Sequence, residues 1–81
     1  MKIAKIILSN KEKLYLQKRN LTKSFLKAER HILSGNLQAV DFKIRQPKKD
    51  DIYYFRINKQ FRALCRLIDG VLVVFEIDNH Q

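Results

Sequence analysis

FRINKQFRALCRLIDGVLVVFEIDNHQ, from Phe55 to Gln81, decides the fold. Three runs rich in β-branched, aromatic and aliphatic residues, about Ile52–Ile57, Gln60–Ile68 and Val71–Ile77, are separated by Asn58-Lys59 and Asp69-Gly70. Such spacing predicts an antiparallel meander of three strands with two tight turns. Asp-Gly is the stronger turn signal, because glycine accepts the positive φ that a two-residue hairpin needs. The same strands are threaded with Arg56, Arg62 and Arg66 and lead into Asp78 and His80, so an apolar sheet here carries cations that suit phosphate.

Working back from the meander, Pro47 and the charged run QPKKDD mark Asn36–Asp51 as a connecting stretch. Before it, apolar residues at Leu21, Phe25, Ala28 and Ile32 follow helical spacing, and Gly35 supplies a left-handed stop. Ser9 stands three residues before Glu12, the spacing of a capping box, which starts a first helix running to about Arg19. Ile3–Leu8 reads as a short first strand. Strand, two-helix hairpin and three-stranded meander together define an α+β fold with the helices on one face of an antiparallel sheet.

Counting register from two-residue turns pairs Ile68 with Val71, Arg62 with Ile77 and Phe61 with Asp78. One face then holds Tyr53, Phe55, Ile57, Arg62, Leu64, Arg66, Val73, Phe75 and Ile77. Tyr54, Arg56, Phe61, Ala63, Cys65, Leu67, Leu72, Val74, Glu76 and Asp78 fall on the other. Neither face is cleanly apolar, and Arg62 and Asp78 lie on opposite sides. A site using both needs a bulge or a strand end between them. The plain structural reading pairs Arg62 with Glu76 or with a helix acid.

With 81 residues the chain is one small domain, and a domain of this size buries only about 60 to 65% of its unfolded surface. Seventeen Lys and Arg against eight Asp and Glu give a net charge of +9, which points to a polyanionic partner such as nucleic acid. The cations lie in the body: Met1–Ile32 carries nine against two acids and Asp41–Leu67 eight against three, whereas Ile68–Gln81 has three acids and no Lys or Arg. One cysteine, Cys65, has no partner for an intramolecular disulfide and fits a small core position in a cytoplasmic protein. No run approaches the length of a membrane span. His31 reads as a surface residue of the second helix.

There is no glycine-rich phosphate loop, CxxC pair, HExxH or GxSxG, so P-loop hydrolysis, a zinc site and serine-triad catalysis lack their parts, and neither metal nor cofactor is implied. Metal-free cleavage of RNA by its own 2′-hydroxyl remains. That reaction needs a base, an acid and cations for the charge that builds on phosphorus, and Arg62, Arg56, Lys48, Lys49, Asp78 and His80 supply those types.

The stretch RINKQFR, the Asp69-Gly70 turn and the terminal Asp78-Asn79-His80 resemble the corresponding parts of RelE/ParE-superfamily toxins, closest to the HigB-like and RelE-like branch. The resemblance covers the element order of the whole chain and is specific in sequence from Phe55 to His80. Asn79 stands where those toxins usually carry tyrosine, and Gln46 stands before Pro47 where HigB-like enzymes tend to have histidine. The resemblance implies a RelE-like fold and a toxin of a type II toxin-antitoxin system, a ribosome-dependent mRNA endonuclease neutralised by an antitoxin protein. Arg62 and Arg56 would act on phosphate, and His80 as acid or base oriented by Asp78. Lys48, Lys49, Arg45, Lys59 and Arg66 would hold RNA or ribosome. It also implies that the helices cover the face of Phe61, Ala63, Cys65 and Leu67, leaving Arg62 in an open groove. Two other readings belong to the same fold: a ParE-like inhibitor of DNA gyrase, and a domain that binds nucleic acid or a partner without catalysis.

Overall fold

Ser9 ends the first strand and begins the first helix. The Glu12 carboxylate accepts hydrogen bonds from the Ser9 backbone N–H at 3.3 Å and from the Ser9 hydroxyl, which ties down the first turn although Glu12 is buried. In the computed structural model, which describes residues 2–79, the elements are β1 (Lys5–Leu8), α1 (Asn10–Lys18), α2 (Thr22–Leu33), β2 (Lys43–Ile44), β3 (Tyr53–Arg56), β4 (Phe61–Ile68) and β5 (Val71–Asn79). Asn20, at φ 56°, reverses the chain between the helices. Gly35, at φ 87°, closes α2: its N–H donates to Ile32 O at 3.0 Å and the Asn36 N–H to His31 O at 2.8 Å, the paired bonds of a Schellman motif.

The protein is an α+β domain in which two helices pack on a five-stranded sheet of order β1-β5-β4-β3-β2. The sheet is mixed, where the sequence predicts an antiparallel one: β1 runs parallel to β5, and the connecting stretch contributes β2 as a fifth strand. A two-residue strand such as Lys43–Ile44 is too short to show periodicity, which is why Asn36–Asp51 reads as a plain connection.

Two one-residue irregularities correct the expected register. Asp69 and Gly70 form the expected two-residue turn, both at positive φ, and Ile68 faces Val71. Farther along, Cys65 pairs with Val74 but Leu64 pairs with Glu76, so Phe75 is a bulge without a partner. Beyond it Ile77 faces Ala63 and Asp78 faces Arg62. The other hairpin has three loop residues, not two: Ile57 N–H donates to Phe61 O at 2.9 Å, and Asn58 Oδ1 accepts from the Gln60 and Phe61 N–H groups, each at 2.8 Å. Arg56 therefore sits opposite Arg62, and Phe55 opposite Ala63.

Each shift turns a segment over, because side chains alternate with period two. Phe55, Ala63, Cys65, Leu72, Val74 and Ile77 thereby join Leu16, Phe25, Ala28 and Ile32 of the helices in one core, with Phe61 and Leu67 packed against it. Phe25 and Phe55 meet at 5.9 Å between ring centroids, locking α2 to β3. Glu76, which unbroken alternation would have put beside Leu72 and Val74, is exposed.

Deleting Phe75 should restore a regular β4–β5 ladder while keeping every existing pair. The expected cost is the interaction of Arg66 with the Phe75 ring, about 0.5–1 kcal/mol by denaturant unfolding; a variant that fails to fold would mean that the bulge's twist is required. Cys65 is fully buried, and that burial pushes its thiol from 9.0 up to about 12, so it stays protonated and sheltered in the native state. At pH 8 iodoacetamide should leave the folded protein unlabelled and modify it stoichiometrically in guanidinium chloride.

Candidate functional site

Arg56, Arg62 and Asp78 form a row across three neighbouring strands on the sheet face away from the helices. Like charges directly opposite each other repel, so Arg56 beside Arg62 is unfavourable alone. Each has a carboxylate: Arg56 Nη2 lies 2.9 Å from Asp41 Oδ2, and Arg62 Nε donates to Asp78 Oδ2 at 3.0 Å. Arg62 thus pairs with Asp78, and neither Glu76 nor a helix acid takes that place. Asp41 is delivered by a left-handed residue, φ 50°, just before β2.

Among the described residues, the only hydrogen bond of the Arg62 guanidinium runs through Nε, which leaves the terminal nitrogens as donors. The central carbon of that group lies over the Tyr54 ring, 4.8 Å from its centroid. Ring and carboxylate hold the fork from two sides and limit its rotamers, so little entropy remains to be lost when it meets a planar or tetrahedral oxyanion. The neighbouring pocket, of about 140 Å³, is lined by Asp41, Lys43, Tyr54, Arg56, Lys59 and Arg62 among others. Lys43 and Tyr54 pair across β2 and β3, so both belong to this face.

The remaining sequence-derived cations are distributed unevenly. Lys59 is in the pocket, on the three-residue hairpin loop. Arg66 shares the open face further along β4, where its Nη1 donates to the Asp50 carbonyl at 2.9 Å. That bond tethers the exposed 3-10 turn Lys48–Asp50, so Lys48 and Lys49 stand towards the Arg66 end of the sheet and do not line the Arg62 pocket. Arg45 follows β2 and continues its ladder, its N–H donating to Ile52 O at 2.6 Å. His80 lies outside the described residues. Asn79, just before it, faces Phe61 and accepts a bond from Gln60 Nε2 at 3.0 Å.

Sequence reasoning missed Asp41, Lys43 and Tyr54 as parts of this site. A signal for Tyr54 exists, since it stands two residues before Arg56 on one strand and so shares its face; Asp41 and Lys43 arrive through a short strand that leaves no pattern. Among the described residues no group of three or more His, Cys, Asp or Glu side chains is arranged to hold a metal ion, and no helix is long and apolar enough to cross a membrane.

These features define a small basic α+β domain with a preorganised arginine on an open sheet. No protein-family model matches the chain, and no curated protein matches it either.

The Arg62–Asp78 pair should be positional more than stabilising. Its side chains keep 24% and 32% of their exposure, and pairs in contact with water contribute about 0–1 kcal/mol. A double-mutant cycle on Arg62→Ala and Asp78→Ala, read by urea unfolding, should give a coupling no larger than about 1 kcal/mol. A coupling above about 3 kcal/mol would make the pair a structural element of the buried kind.

Proposed function

We propose that the protein is a cytoplasmic toxin of the RelE/ParE type, with a RelE-like fold, that cleaves messenger RNA on the ribosome without a metal and is held inactive by an antitoxin protein. The observation that carries this reading is the Arg56–Arg62–Asp78 row, in which a guanidinium fork braced by Tyr54 and Asp78 faces an open cationic pocket. A phosphate seated there would receive two donors from Arg62 and charge from Arg56, Lys43 and Lys59. Charge developing on phosphorus in the transition state is then met by groups already in place. Asp78 is a positioning residue that keeps Nε occupied and the fork aimed. His80 follows two residues later in sequence as the group able to give or take a proton near neutral pH.

An antitoxin has a fitting surface at the opposite end of the sheet. β1 is the edge strand, and beside it a groove of about 400 Å³ is lined by Ile6, Ile7, Leu16, Phe25 and Leu26. Ile7 and Leu26 are exposed there, and an added strand with an apolar side chain would cover both edge and groove.

A non-catalytic nucleic-acid-binding role is the second reading. Its support is that Gln46 and Asn79 stand where the toxins this chain resembles carry histidine and tyrosine, so groups of the catalytic set are missing while the cationic face remains.

Controlled induction of the chain in bacteria, followed by genome-wide mapping of RNA 5′ ends, tests the proposal. New ends should appear inside translated messages in three-nucleotide phase. Arg62→Ala should lower their yield roughly 10²- to 10³-fold, the usual loss for an oxyanion-stabilising donor. Growth arrest without new ends would replace cleavage by a protein target such as gyrase, and no arrest and no ends would leave the binding domain.

A further inference from the structure

A second cationic pocket lies on the other side of the β3–β4 hairpin loop from Arg62. Its volume is about 390 Å³, and Arg56, Asn58 and Lys59 line both pockets, so only the hairpin loop separates them. Ser24, Lys27 and His31 recur at helical spacing along one stripe of α2 and form the far wall. Ala28, on the same stripe, is buried and small, which leaves the space open.

The chemistry of this lining is one-sided. No carboxylate lines the pocket among the described residues, in contrast to the Arg62 pocket, where Asp41 intrudes. Asn58 spends its carbonyl oxygen on the Gln60 and Phe61 N–H groups, so its amide nitrogen is left to donate. His31, whose Nδ1 lies 3.4 Å from the Asn36 amide nitrogen, adds an imidazole to the α2 wall. With the Ser24 hydroxyl, Lys27 and Lys59 added, the pocket presents donors and positive charge from two elements that converge, a combination that fits an oxyanion.

We infer that Lys27, His31 and Lys59 form a second phosphodiester site, so that a single RNA strand crosses the β3–β4 hairpin with one phosphate at Arg62 and another in the α2 pocket. This rests on the reading of the Arg62 face as an RNA site and extends it: α2 joins the interface, and the hairpin loop is the ridge over which the strand bends. Arg56, shared by both pockets, stands between the two phosphates.

The test is binding of a fluorescent 2′-O-methyl oligouridine, which cannot be cleaved, as a function of salt. Variants are Lys27→Gln/His31→Ala, which touches only the α2 pocket, and Arg62→Ala, which touches only the other; circular dichroism checks that both remain folded. The α2 variant should raise Kd roughly ten-fold or more and flatten the slope of log K against log salt by about 0.7 for each phosphate that is no longer neutralised. If it binds like the wild type in affinity and slope while Arg62→Ala weakens binding, the second site is wrong and the first stands. Loss in the α2 variant with none in Arg62→Ala keeps the α2 pocket as an RNA site and removes the Arg62 face. Unchanged binding in both variants overturns both.

Discussion

Phe75 has no partner across the sheet, and since side chains alternate with period two, that one residue turns over everything that follows it in β5. Ile77 moves to the helix side, where the core needs it, and Asp78 moves to the side of Arg62. Glu76 is released to solvent by the same step. A regular strand would bury an acid among Leu72 and Val74 and leave an isoleucine facing water, an exchange costing several kcal/mol for an unpaired charge alone. The three-residue loop at Asn58–Gln60 does for β3 what the bulge does for β5. Packing and the candidate site are therefore products of the same two irregularities.

The core that results is small and is closed mainly by aromatic and aliphatic groups from α2 and the three meander strands. Its weaker boundary is β1, which has a neighbour on one side only and carries exposed Ile7 next to the groove beneath the helices. Edge strands of this kind are where an added chain gains both backbone hydrogen bonds and apolar contact. Away from β1 the cations divide between two places: Arg66, with the exposed Phe75 ring beside it, and the tethered Lys48–Asp50 turn at one end of the strands, and the two pockets about the β3–β4 hairpin loop at the other. The Arg62 pocket and the β1 groove share no lining residue, since the first lies on the face away from the helices and the second between β1 and the helices.

Charge on that face is arranged, not merely accumulated. Four groups, Arg56, Arg62, Asp41 and Asp78, form two ion pairs whose charges cancel, and they hold the arginines in place without making the surface strongly attractive by themselves. Attraction comes from the cations around them, Lys43 and Lys59 in the pocket and Lys27 beyond the loop. Two effects are separable, the long-range field of diffuse lysines, which salt screens, and the short-range geometry of a braced arginine. Tyr54 belongs to the second, since a flat ring under a guanidinium restricts it with no added charge.

Local chemistry was legible in the chain. Ser9 and Glu12 declared the start of α1, Gly35 the end of α2 and Asp69-Gly70 a hairpin, because each depends on residues within a few positions of one another. The basic balance and the α+β order were readable too, since composition and the succession of local patterns carry them. What could not be read were the parallel docking of β1, the two-residue strand that brings Lys43 beside Tyr54, and the faces of the sheet. Strand pairing joins residues distant in the chain, and no local pattern says whether a loop holds two residues or three, or whether a strand carries one residue too many. Those choices were settled by the competition to bury Phe55, Ala63 and Ile77 together against the helices, and the side on which Asp78 meets Arg62 followed from that packing.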